Sequence, residues 1–165
     1  MTRQIKNLLF VCTGNICRSP FAQGLFLKLS ADKGIKDVAA RSAGLFALPG
    51  NQATYLAQRV AAEHHVDLAE HKAQIVTADL ADLSNLILVM EQHHKNDLVS
   101  DFPEASGRVR LLRHFARYGS RDRGIADPYG LDNDAYRFCF LDIEDAVSGL
   151  IEFLTEQQTT IKGVF

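Results

Sequence analysis

Leu8-Leu9-Phe10-Val11-Cys12-Thr13-Gly14-Asn15-Ile16-Cys17-Arg18-Ser19-Pro20 is an apolar run that stops in a turn holding two cysteines and a glycine, then resumes as a helix-like pattern. That order predicts a strand feeding a loop whose backbone N–H groups turn inward around an anion. The N-terminus of the following helix adds unpaired N–H groups and a partial positive charge. Cys12 and Arg18 form a C-x5-R spacing, with the thiol at the floor of the loop and the guanidinium at its rim. Arginine offers a planar fork matched to two phosphate oxygens and stays charged at any working pH. The same field favours the thiolate of Cys12, the nucleophilic form. Thr13, Gly14, Asn15, Ile16 and Cys17 are expected to form the cradle. Gly14 permits backbone geometry closed to other residues, and Asn15 is the non-glycine type that best tolerates the left-handed region. Ser19 either caps the helix or donates to the sulfur, and Pro20 suits a first helical turn. A bare C-x5-R also occurs as a buried thiol beside a surface cation. The full run between a strand and a helix favours the chemical reading.

Outward from the loop, Gln4 to Val11 is the first strand, continuously apolar from Leu8 as befits a central parallel strand. Pro20 to Lys33 carries Phe21, Leu25, Phe26 and Leu29 at helical spacing, and Gly34 ends it. Val38 to Ser42 is a second strand, and Ser42 to Asn51 is a loop. Ala53 to His65 is a helix, Leu83 to Met90 contains the third strand, and a helix from Glu91 ends before Pro103. Val109 to Leu112 is the fourth strand. Arg113 to Asn133 is a long polar connection of the kind that often carries function. Asp134 to Phe153 closes the chain as a helix, with Phe138, Leu141, Ile143, Ala146, Leu150 and Phe153 on its inner face. Strands alternating with helices predict a three-layer α/β single domain with a parallel sheet between helices, and a ligand beyond the carboxyl ends of the strands, where Cys12 lies.

Composition excludes several classes. The chain has 165 residues, 47% hydrophobic and 23% charged, with a formal net charge of -2, which fits one ordinary globular domain over 1–165. No basic bias points to nucleic acid, no apolar stretch is long enough for membrane insertion, and Met1 to Asn7 is too polar to open a signal peptide. Three cysteines, two of them in one loop, do not form a secreted disulfide framework, so a reducing, cytoplasmic setting is expected. His64-His65 with His71, and His93-His94, lack a recognised metal-ligand spacing, and adjacent helical histidines should point apart; no metal or other cofactor is expected.

The loop resembles the signature of the low-molecular-weight protein tyrosine phosphatases, and the likeness runs along nearly all of the chain. Ser42-Ala43-Gly44-Leu45, Ala47-Leu48, Gly50, Ala61-Ala62-Glu63-His64, Met90-Glu91 and Asp127-Pro128-Tyr129 are most similar to the bacterial members associated with capsule and exopolysaccharide export. The expected sheet has four strands in order 2-1-3-4. A tyrosine leaving group, with a pKa of about 10, departs faster when protonated. Asp127 is the candidate acid, because Pro128 stiffens the turn presenting it. By itself Asp-Pro is more commonly a plain turn; the resemblance implies the catalytic role, because the family places its general acid in D-P-[YF] near the C-terminus. It also implies Tyr129 as an aromatic wall, Leu48 on the opposite wall where many members carry tryptophan, and Cys17 as a redox partner of Cys12. A merely buried Cys17 is the alternative. Gln23 stands where many relatives carry glutamate. The implied substrate is a phosphotyrosine protein, a bacterial tyrosine kinase of polysaccharide export, with inorganic phosphate as product. The competing readings are a thiol-dependent arsenate reductase, for which Cys139 is a poor downstream relay, and a non-catalytic phosphate-binding domain.

Overall fold

β1, Asn7–Cys12, is buried from Leu8 to Cys12 and lies inside a four-stranded parallel sheet of order β2-β1-β3-β4. The computed structural model describes residues 3–163; residues 1, 2, 164 and 165 of the expected domain range lie outside it. β2 is Ala39–Gly44, β3 Leu86–Val89 and β4 Val109–Leu111; the helices are α1 Arg18–Asp32, α2 Tyr55–Glu63, α3 Ala78–Leu83, α4 Gln92–Asp101 and α5 Asn133–Lys162. The expected fold class and strand order are the observed ones.

Alternation along β1 assigns the layers. Leu8, Phe10 and Cys12 join the larger core with residues of α1, α2 and α5, while Leu9 and Val11 join a second core with Ala81 of α3 and Leu98 of α4. Helices therefore cover both faces, as continuous apolar strands require. Phe21 of α1 stacks on Phe140 of α5 with ring centroids 3.9 Å apart.

Several boundaries differ from expectation for identifiable reasons. β1 starts at Asn7 rather than Gln4, because the amides of Lys6 and Asn7 are taken by the Asn85 side chain. α3 was not anticipated; Thr77 caps it by accepting from the amide of Leu80. Two 3₁₀ turns, Pro103–Arg108 and Leu112–Phe115, were also missed. Gly34 does end α1, with a left-handed φ of 70°.

The largest correction concerns α5. It runs nine residues beyond Phe153, to Lys162. Its buried stripe includes Tyr136, Cys139, Phe140, Ile143, Ala146, Val147, Leu150 and Leu154, whereas Phe138 and Leu141 are 73% and 53% exposed. The buried positions follow i, i+3, i+4, i+7, which turns residues 138 and 141 away from the sheet.

Candidate active site

The turn after β1 closes as the sequence predicts, and the residue read as tolerating the left-handed region is the one that adopts it. Asn15, not Gly14, takes the left-handed conformation, at φ 55°. Its side chain holds it there: Nδ2 donates to Ser19 Oγ (2.8 Å) and Ser42 Oγ (3.0 Å), and Oδ1 accepts from the amide of Gln74 (3.0 Å). The backbone donor at Oδ1 fixes the amide orientation. His71 Nε2–H donates to the Asn15 carbonyl at 2.7 Å, and burial pushes the His71 pKa down, keeping the ring neutral. Gly44 lets β2 approach, since a Cβ there would lie 2.5 Å from the Thr13 carbonyl oxygen.

Ser19 already accepts from Asn15, so its own proton is free for Cys12 Sγ, 2.9 Å away. Ser19 does not cap α1. Cys17 occupies the N-cap position without a side-chain cap bond, and the first turn carries no acidic residue, so its amides remain available to an anion. The cradle is anchored behind by Ser42 Oγ, which donates to Gln23 Oε1 at 2.6 Å, while Gln23 Nε2 donates to the Ala40 carbonyl at 3.2 Å. This is the structural place of Gln23.

Arg18 is buried, and its Nη1 donates to Glu91 Oε2 (2.7 Å) and the Ile125 carbonyl (2.8 Å). Nη2 lies 3.5 Å from Asp127 Oδ2. Among the described residues its hydrogen bonds all leave from Nη1, so Nε and Nη2 remain to grip two oxygens. Burial pushes the Glu91 carboxyl up, but the guanidinium and His93 outweigh it and hold Glu91 below the usual carboxylate range. The long loop is pinned beside Arg18, because the amide of Ile125 donates to the Met90 carbonyl at 2.8 Å. Two residues later Asp127 reaches the pocket, its Oδ1 accepting from the amide of Tyr129 at 3.1 Å.

Cys12, Thr13, Gly14, Ile16, Cys17, Arg18, Asp127 and Tyr129 line one cavity of about 180 Å³. Asn15 and Ser19 lie buried behind it. Leu48 is 69% exposed and does not line it. A larger surface cavity of about 730 Å³, lined by Ile5, Leu86, Arg110 and Phe153 among others, holds none of the candidate residues. The three cysteines are free thiols. Cys17 Sγ sits 3.3 Å from Tyr136 Oη and 3.6 Å from Thr54 Oγ1, and the two hydroxyls are 3.1 Å apart. Burial pushes the Cys17 thiol up, opposed by these hydroxyls.

The sequence reading missed Glu91, His94, Thr54 and Tyr136. Glu91 follows β3, so its place at a strand's carboxyl end was an available signal. Contrary to expectation, His93 and His94 do not point apart: their ring centroids are 4.1 Å apart. With Glu91 they offer ligand atoms within 4.8 Å of one another. Those atoms are already engaged, Glu91 by Arg18 and His93, and His94 on both sides. His94 Nδ1 accepts from the amide of Glu91 (3.1 Å), so Nε2 carries the hydrogen and donates to Thr13 Oγ1 (2.8 Å).

Burial, with Arg18 and His93 nearby, lowers the His94 pKa to about 4. The unfolded chain therefore takes this proton first. The stability that neutral His94 contributes is present above about pH 6.5 and lost as pH falls towards about 4. Over that window the wild type should lose up to about 3 kcal/mol more stability than His94→Gln, measured by urea unfolding at stepped pH. Equal slopes would remove His94 from the account.

A family profile described as "Low molecular weight phosphotyrosine protein phosphatase" matches residues 7–160. A protein-arginine-phosphatase of Geobacillus stearothermophilus is 34% identical over 151 residues, covering 92% of this chain and 97% of that one. The crystal structure of the Erwinia amylovora tyrosine phosphatase AmsI matches with a TM-score of 0.81 and 35% identity, covering 92% and 94% of the two chains. The tyrosine phosphatase Wzb from Escherichia coli K30, solved in complex with sulphate, matches with a TM-score of 0.81 and 32% identity, covering 91% and 99%.

Proposed function

Because the chain belongs to the low molecular weight phosphotyrosine protein phosphatase family, we propose that it hydrolyses phosphotyrosine, and aryl phosphates generally, through a phosphocysteine intermediate. The observation that carries this reading is the convergence of Cys12, Arg18 and Asp127 on one small cavity, with the Ser19 hydroxyl on the sulfur. In the first step the Cys12 thiolate attacks phosphorus, the bond to the aryl oxygen breaks, and the Asp127 proton passes to that oxygen, releasing a phenol. In the second, Asp127 takes a proton from water as its oxygen attacks phosphorus. The phosphorus–sulfur bond breaks, releasing inorganic phosphate and the thiolate, which Ser19 stabilises. Arg18, the amides of residues 13–17 and the first turn of α1 hold the equatorial oxygens throughout, the electrostatic part of phosphoryl transfer.

The relatives divide between tyrosine and arginine phosphatases by name. Ile16 and Tyr129 supply apolar walls, and the one carboxylate lining the cavity is Asp127, which suits a neutral ring better than a guanidinium. A phosphotyrosine protein is therefore the proposed substrate, a bacterial tyrosine kinase of polysaccharide export by resemblance. Cys17 is the proposed resolving thiol for oxidised Cys12; both line the cavity. A cytoplasmic setting fits the free thiols. Among the described residues no helix is long and apolar enough to cross a membrane. Arsenate reduction would need a further relay thiol, and Cys139 is buried in α5 with its pKa pushed up by that burial.

The test compares Asp127→Asn with wild type on aryl phosphates of graded leaving-group pKa, without added metal. The variant should be about 10²- to 10³-fold slower with poor leaving groups and much less affected with good ones. A uniform loss across the series would remove Asp127 as the acid. Phosphotyrosine and phosphoarginine peptides run in parallel decide the substrate, with the former expected to give the higher kcat/KM.

A further inference from the structure

The exposed Phe138 has a neighbour that gives it a use. A groove of about 480 Å³ is walled by Pro128, Leu131, Ala135 and Phe138, and Asp127 borders both this groove and the catalytic cavity. Leu131 and Phe138 are 58% and 73% exposed, so two large apolar side chains of this groove face solvent. At the rim, Asp142 is held by Arg123 at two points, Nη1 to Oδ2 at 2.7 Å and Nη2 to Oδ1 at 2.9 Å, and also accepts from Arg113. The groove therefore presents mainly hydrocarbon between Asp127 on one side and this paired rim on the other.

We infer that this groove is a second recognition subsite, which takes an aliphatic or aromatic side chain of the phosphoprotein substrate close in sequence to the phosphorylated residue. The inference rests on the phosphatase reading of the adjoining cavity. A shared wall residue makes the two cavities neighbours, and an extended peptide advances about 3.3 Å per residue. A side chain two or three positions from the phosphotyrosine thus falls over the groove when the phosphate lies on Cys12. Asp142 is already held by both Arg113 and Arg123, so the groove offers a flanking side chain apolar contact rather than a carboxylate anchor.

The experiment uses phosphotyrosine peptides in a Ser/Gly background, with one leucine moved from three residues before to three residues after the phosphotyrosine. Wild type, Phe138→Ser and Leu131→Ser are each assayed on these peptides and on p-nitrophenyl phosphate. Wild type should favour leucine two or three residues away by about tenfold in kcat/KM, expressed in KM. Both variants should flatten that preference. Turnover of p-nitrophenyl phosphate should be unchanged, because neither residue lines the catalytic cavity. A flat profile in wild type, or a preference that survives both variants, overturns the subsite. So does a concentration-dependent dimer in sedimentation that the variants abolish, since a second copy would then cover the groove. If wild type hydrolyses no aryl phosphate, the phosphatase reading falls and this inference with it.

Discussion

Cys12→Ser should be inert towards aryl phosphates, at least about 10⁴-fold below wild type, while still binding inorganic phosphate. A serine hydroxyl at this position is not ionised near neutrality, and the group that bonds it, Ser19 Oγ, is a donor rather than a base. The anion cradle does not depend on sulfur. Arg18 stays fixed by Glu91 and the Ile125 carbonyl, and Asn15 by three side-chain hydrogen bonds. Calorimetric titration with phosphate therefore separates nucleophile from cradle. Residual turnover within tenfold of wild type would remove Cys12 as nucleophile. Phosphate binding by a wild type that hydrolyses nothing would make the domain a binder, or direct attention to arsenate as the oxyanion.

The second large effect is expected for Arg18→Lys. An ammonium keeps the charge but presents a point where the guanidinium presents a fork, and it cannot bond Glu91 and Ile125 through one nitrogen while leaving two others for phosphate oxygens. The variant should lose about 10³-fold in kcat/KM, or about 4 kcal/mol of transition-state stabilisation. Because the arginine is 2% exposed, its replacement also leaves Glu91 and a carbonyl underbonded, so a lower melting temperature should accompany the loss. A fall in melting temperature with kcat/KM intact would make the Arg18 network structural.

Those two residues were legible because the loop encodes its own geometry. Strand, turn, left-handed residue and helix start follow within 13 positions, whereas Asp127 was singled out by the family resemblance, its Asp-Pro pair alone reading as a plain turn. Contacts that close over long sequence distance were not legible. Glu91 reaches Arg18 across 73 residues and Tyr136 reaches Cys17 across 119, and neither carries a local pattern that names its partner. α5 was misread because both Phe138 and the buried Phe140 suit an inner face; only the packing partner, Phe21 for Phe140, separates them. Its last turns were lost because Thr155 to Thr160 reads as polar, although Leu154 is still buried and the polar residues form a solvated face.

Tyr136, Thr54 and Cys17 join α5, the start of α2 and the catalytic turn through one buried cluster, and Cys12 ends a strand paired on both sides. The reactive loop thereby belongs to the same cooperative unit as the sheet. The amides that donate to its carbonyls, those of Leu45, Phe46 and Thr54 on Cys12, Thr13 and Ile16, should exchange with deuterium as slowly as those of Phe10 and Val11, through global rather than local opening. Enzymatic function and the native baseline should vanish together on heating, with no folded but inactive intermediate between them.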